Sequence, residues 1–93
     1  MNFFDRVYEV VKKIPKGKVI TYGQVARILD TKDSRRVGHA LHANRDSGVP
    51  CHRVVNKDGR LALGYAFGGI GEQRARLIAE GVKFRDDLHV KMN

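Results

Sequence analysis

The chain has 93 residues, 42% of them hydrophobic, and its 18 lysines and arginines outnumber 10 acidic residues for a formal net charge of +8. That length specifies one small domain over residues 1–93 with a single core, and it excludes a deep cleft enclosed by two lobes. The positive balance makes a polyanion the first partner to consider, while the absence of a secretory leader or a bilayer-length apolar run excludes a membrane span and predicts an intracellular, cytoplasmic protein.

Taken in chain order, Phe4, Val7, Tyr8, Val11 and Ile14 recur at helical spacing among charged residues and predict an amphipathic first helix, ended by Pro15 and Gly17. Val19-Ile20-Thr21 is a short β-branched stretch, and Thr21 with Gln24 has the form of a capping box opening a second helix that turns Val25, Ala26, Ile28 and Leu29 inward. After the polar break Asp30-Thr31-Lys32-Asp33, Asp33 or Ser34 caps a third helix with Val37, Ala40 and Leu41 inside. Two short helices joined by a tight polar link predict a helix-turn-helix. Arg45 to Val49 has loop composition. Arg53-Val54-Val55 and Leu61-Ala62-Leu63 then flank the turn pair Asp58-Gly59, which predicts a β-hairpin wing. Glycines 64, 68, 69 and 71 surround Tyr65 and Phe67 in a loop, and residues 72–80 form a last helix with Ala75, Ile78 and Ala79 inward and Gly81 as its C-cap. The tail beyond Phe84 carries no pattern. The expected fold is therefore mainly α with a short β-hairpin, a small winged helix-turn-helix-like domain. Its expected core is Phe4, Val7, Val11, Val25, Ile28, Leu29, Val37, Leu41, Val55 and Ile78.

Two features carry chemistry. Arg35, Gly38, His39 and His42 fall at i, i+3, i+4 and i+7 on the third helix, so one face offers hydrogen-bonding and cationic groups around a residue without a side chain. That face is either an ordinary solvated one or a surface for close approach to a sugar-phosphate backbone. Cys51 is the sole cysteine, which rules out an internal disulfide. A lone cysteine is either a small core hydrophobe or a nucleophile. Its place after Pro50, beside His52 and Arg53 in a basic chain, favours thiolate over thiol. Neighbours on an extended strand point to opposite faces, so His52 needs a turn or a bridging water to serve Cys51 as a base. His39 and His42 with Cys51 and His52 also contain zinc-type ligands, but the surrounding positive charge opposes a cation, and no metal is expected.

The unbroken run Pro50-Cys51-His52-Arg53-Val54-Val55 resembles the active-site signature of the O6-alkylguanine-DNA alkyltransferases. Further landmarks agree: Gly17 to Tyr22, Arg35-Arg36-Val37-Gly38 through Asn44, Gly68-Gly69 and Glu80-Gly81, so the resemblance runs from Phe4 to about Val82. It implies a helix-turn-helix that enters the minor groove of double-stranded DNA containing O6-alkylguanine, with the target nucleotide rotated out of the stack. By position, Cys51 resembles the acceptor nucleophile, and His52, through water, with Glu80 the relay that draws off the thiol proton. Arg35 resembles the finger that fills the gap left by the flipped base. Arg36, Gly38, His39 and His42 stand along the DNA-contacting helix. Tyr22 resembles the tyrosine that crowds the target phosphate and protonates the departing purine. Asn44 resembles the brace between helix-turn-helix and active-site segment, Pro50 and Arg53 hold that segment, and Val54, Tyr65, Phe67 and Gly68 belong to the base pocket. No cofactor is implied, and a monomer is expected.

The resemblance also carries an alternative. Members that repair DNA alone usually have a further N-terminal domain, whereas this chain starts at the first helix of the C-terminal one. Short alkyltransferase-like relatives have tryptophan in place of the cysteine, bind alkylated guanine without repair and present it to nucleotide excision repair proteins. Cys51 separates this chain from them. A plain helix-turn-helix regulator, with an incidental cysteine, is the third reading. Gly64-Tyr65-Ala66-Phe67-Gly68-Gly69 is longer by a residue than the family's loop, and His42 stands where an arginine is often found.

Overall fold

The computed structural model describes residues 1–92. Its first helix, α1, spans Phe3–Lys12, capped where Asn2 Oδ1 accepts the Asp5 amide at 2.9 Å, and it buries Val7 and Val11. A two-residue strand β1, Ile20–Thr21, runs straight into helix α2, Tyr22–Ile28. The capping box forms as its sequence predicts: Gln24 N donates to Thr21 Oγ1 at 3.1 Å and Thr21 N to Gln24 Oε1 at 2.8 Å. Helix α3, Ser34–Ala43, takes Asp33 as its cap through the Arg36 amide at 3.0 Å. Tyr8 Oη donates to Ala40 O at 2.7 Å and so ties α1 to α3.

The link between α2 and α3 is tight because α2 closes with paired bonds of the Schellman type. Asp30 N reaches Arg27 O at 3.0 Å and Thr31 N reaches Ala26 O at 3.0 Å. That closure puts Asp30 at φ +60°, the left-handed region that costs a side chain energy and costs glycine none.

Beyond α3 the chain makes one 3-10 turn at Cys51–Arg53 and enters strand β2, Val54–Val55, which pairs in parallel with β1, Ile20 opposite Val54. The core has two parts. The helices bury Val7, Val11, Val25, Val37 and Leu41 together with Cys51, Val54 and Tyr65. Val55, Leu61, Leu77, Val82 and Val90 form the second part. No helix among the described residues is long and apolar enough to cross a membrane.

Three expectations are corrected. The turn at Asp58–Gly59 forms, with Gly59 N on Asn56 O at 2.9 Å, but Leu61–Leu63 does not return as a strand. The Gln73 amide lies between the two segments instead, donating to Val54 O at 3.1 Å and accepting from Ala62 N at 2.8 Å, while Leu61 N turns to Leu88 O. The antiparallel hairpin is made by β3, Phe84–Asp86, and β4, His89–Val90, in the tail that carries no sequence pattern. The last helix, α4, spans Gly69–Ala79 and buries Gln73 and Leu77, leaving Ala75, Ile78 and Ala79 exposed. A buried glutamine at the centre of the inward face hides that face from any hydrophobic pattern. Ile28 is likewise exposed, because α2 has only about two turns, whose inward positions are Val25 and Ala26 with Leu29 buried at the C-cap, and Phe4 is only half-buried against the helical core.

Asp30→Gly removes the left-handed strain without touching the core, and raises stability by about 0.5–1 kcal/mol, read as a higher urea midpoint with an unchanged slope.

Candidate active site

The 3-10 turn resolves the problem of adjacent side chains on a strand. With about three residues per turn, Cys51 and His52 do not point to opposite faces. Cys51 is 5% exposed, and its Sγ accepts a hydrogen bond from Asn44 Nδ2 at 3.2 Å. The same Nδ2 donates to Asp46 O at 2.9 Å, and Asn44 Oδ1 accepts from Asp46 N at 3.0 Å. The residue that ends α3 thus fixes the loop and the thiol together.

Burial pushes the Cys51 thiol above its ordinary value, outweighing the Asn44 and backbone hydrogen bonds that lower it. This corrects the expectation of a thiolate favoured by its sequence neighbours. His52 and Arg53 direct their donors elsewhere, to Glu80. Arg53 Nε donates to Glu80 Oε1 at 3.0 Å and Nη2 to Oε2 at 2.7 Å, while Nη1 reaches Ile14 O at 2.7 Å. His52 Nε2 lies 2.9 Å from Glu80 Oε2. The two-pronged Arg53 contact, helped by His52 and opposed by burial, holds the Glu80 carboxyl down at about 2, so it is ionised and only accepts. The proton on the His52 ring therefore sits on Nε2, which leaves Nδ1, buried and without a protein partner, as the basic nitrogen.

Glu80 is aimed by the end of α4. Val82 N bonds Leu77 O at 3.0 Å and Gly81 N bonds Ile78 O at 3.0 Å, a Schellman closure that needs the φ of +87° that Gly81 supplies. Gln73, which sequence reasoning passed over, holds the other side of the turn by donating to His52 O at 3.2 Å as well as to Val54 O. No signal in the sequence marks it, since glutamine on a helix reads as solvent-facing.

Around the thiol stand two tyrosines whose hydroxyls are pushed up to about 12 chiefly by burial, Tyr22 and Tyr65, so both remain protonated donors near neutral pH. Tyr65 is 6.0 Å from the Phe67 ring, and the Arg76 guanidinium lies 5.6 Å from the first ring centre and 5.8 Å from the second. Val54 is fully buried and backs this region from within the core, while Pro50 is half-buried ahead of the turn. Gly68 has φ +126°, and a Cβ there would meet Glu72 Cβ at 2.8 Å, so the loop's entry into α4 requires glycine.

Outside lies an open groove of about 420 Å³. Arg35, Gly38, His39 and His42 line it from α3, Tyr22 from α2, and Arg60 and Gly64 from the facing segment. Tyr22 also packs against the buried cluster that contains Cys51, and so joins the groove to the thiol. Arg36 is not in the groove; its guanidinium sits 4.1 Å from the centre of the Phe3 ring. A Cβ on Gly38 would come no nearer than 3.9 Å to Tyr22, so the open surface there is not enforced by the protein's own packing.

Fold and site together define a helix-turn-helix domain with a buried thiol set beside a histidine and carboxylate pair. Residues 2–82 match the family described as 6-O-methylguanine DNA methyltransferase, DNA binding domain, and the chain belongs to it. It is 46% identical over 83 residues to the methylated-DNA–protein-cysteine methyltransferase of Thermococcus kodakarensis, a match spanning 87% of this chain and 45% of that protein. It is 40% identical over 84 residues to alkyltransferase-like protein 1 of Schizosaccharomyces pombe, spanning 88% of this chain and 78% of that one. A crystal structure of S. pombe Atl1 in complex with damaged DNA containing O6-carboxymethylguanine matches with a TM-score of 0.79 at 37% identity, over 98% of this chain and 88% of that one.

The depressed Glu80 carboxyl makes stability depend on pH. A shift from 4.5 to about 2 contributes on the order of 3 kcal/mol, present in full above the unfolded value and lost as pH falls through the folded one. Glu80→Gln should therefore lower stability by about that amount at pH 7, and chemical denaturation should show the gap to wild type closing as pH drops from 4.5 toward 2.

Proposed function

We propose that this domain binds double-stranded DNA containing O6-alkylguanine, turns the damaged nucleotide out of the stack and accepts its alkyl group irreversibly on Cys51 Sγ. The observation that carries the reading is the Cys51–His52–Glu80 arrangement: a buried thiol beside a histidine whose Nε2 is held by an ionised carboxylate and whose Nδ1 is left basic. In the transfer the Sγ–C bond forms as the C–O6 bond of guanine breaks. The thiol proton passes through a water molecule to His52 Nδ1, and Glu80 stabilises the imidazolium that results. The departing purine takes a proton from the Tyr22 hydroxyl, which stays protonated until about 12. The thioether product does not hydrolyse, so each molecule acts once, with no cofactor.

The groove supplies the DNA contact. Arg35 is exposed on α3 and takes the place of the extruded base, with Gly38 letting the backbone approach and His39 and His42 beside it. Arg36, stacked on Phe3, contributes charge from the groove's edge. Asn44, Pro50 and Arg53 hold the active-site segment, and Tyr65, Phe67 and Gly68 shape the pocket that receives the base.

One observation favours a second reading, a lesion sensor that binds O6-alkylguanine and recruits nucleotide excision repair proteins: the structural match to S. pombe Atl1 covers 98% of this chain, and that to the O6-methylguanine-DNA methyltransferase of Pyrococcus kodakaraensis 88%.

Transfer of labelled methyl from an O6-methylguanine duplex separates the two. Cys51→Ala should lose all transfer and keep lesion-selective binding; labelled Cys51→Ala would overturn the acceptor assignment. Arg35→Ala should weaken lesion binding about tenfold or more and slow transfer with it. Because burial raises the thiol, the wild-type transfer rate should climb with pH toward the ordinary thiol range of about 8.5 and beyond.

A further inference from the structure

His42 has no role in the alkyl transfer itself, yet it touches both the groove and the loop behind it. It is exposed on α3, and its Nδ1 lies 2.8 Å from Gly64 O. A carbonyl oxygen only accepts, so Nδ1 carries a proton and donates. In the neutral ring Nε2 is then a bare acceptor, and a donor appears there only when the ring is protonated.

The fixed charges in the groove with this ring are both positive, those of Arg35 and Arg60, and the other titratable groups there are an imidazole and a protonated phenol. These groups are Arg35 and His39 from α3, Tyr22 from α2 and Arg60 from the facing segment, all lining the same groove, which has no carboxylate in its lining. Arg45 Nη1 adds a donor at 3.2 Å to His42 O. A phosphate is the chemistry such a rim selects, and it is the partner that makes a proton on Nε2 favourable.

Gly64 begins the loop that carries Tyr65 and Phe67. Tyr65 lies in the buried cluster with Cys51, and Phe67 packs against that cluster. A hydrogen bond from a protonated imidazole is roughly twice as strong as one from a neutral ring. One proton therefore adds a phosphate donor on the outer nitrogen and tightens the strap on the inner one.

We propose that His42 is a positioning residue that takes up a proton when a DNA phosphate enters the groove, and thereby fastens the Gly64–Phe67 loop over the thiol pocket. The inference rests on the DNA-binding reading and adds to it a coupling between backbone contact and pocket closure.

The test is affinity for an undamaged duplex, which leaves Cys51 unreacted, measured from about pH 5.5 to about pH 8 for the wild-type chain, His42→Gln and His42→Arg. His39 lines the same groove with a second imidazole, so the difference between variants is what reads His42. Wild type should lose about threefold more affinity than His42→Gln across the range, and His42→Arg should bind at least as tightly as wild type with a slope no steeper than that of His42→Gln. Duplex binding should also slow amide exchange in residues 64–67 more in wild type than in His42→Gln. Parallel pH curves for wild type and His42→Gln, with both binding DNA, would overturn the proton coupling and leave the DNA reading standing. Equal slowing of loop exchange in the two would overturn the link to the pocket. If none of the three proteins binds the duplex at any pH, the DNA reading falls and this inference with it.

Discussion

The carboxylate of Glu80 joins parts of the chain that lie far apart in sequence. It accepts two donors from Arg53 and one from His52, and the third Arg53 donor reaches back to the carbonyl of Ile14, just past the first helix. The end of α1, the 3-10 turn and the end of α4 are thereby locked at one point. Ion pairs on open surface contribute little, but this one is mostly buried, with side-chain exposures of 15% and 12%, and each partner's hydrogen-bonding capacity is largely used. Removing the carboxylate leaves a guanidinium without its partner, which is the costly way to break a buried pair.

The same carboxylate sets the chemistry available to the turn. By holding the His52 proton on Nε2 it leaves the other ring nitrogen basic, one residue from the thiol. Burial meanwhile keeps Cys51 protonated in the resting protein. On the proposed transfer reading, a resting thiol next in sequence to that basic nitrogen is a nucleophile generated only on demand, which suits a protein that reacts once. Tyr22 bridges the two halves of the arrangement, since it lines the outer groove and packs on the cluster that contains Cys51.

What the sequence made legible was local. The Thr21–Gln24 capping box, the Asp33 cap and the Gly81 helix end are each written within four residues, and all three form. The run from Pro50 to Val55 is as local, and its junction of loop and strand forms as the 3-10 turn leading into β2. What stayed hidden was non-local. Gln73 takes the hydrogen bonds that a hairpin between Val54 and Leu63 would have used, and no pattern announces that a polar side chain occupies the centre of a helix's inward face. The β3–β4 hairpin depends on contacts of the tail with Arg60 and Leu61, far back in the chain. The rise of the thiol's pKa was hidden too, because it follows from burial and from where His52 and Arg53 point, not from which residues flank Cys51.

The most direct measurement is intact-protein mass spectrometry of the wild-type chain after incubation with a duplex carrying one O6-methylguanine, followed by peptide mapping. The chain should gain the mass of a single methyl group, stable on standing and confined to the peptide containing Cys51. An unchanged mass in a sample that binds the lesion duplex selectively would contradict transfer to Cys51 and leave recognition without transfer as the function of the domain.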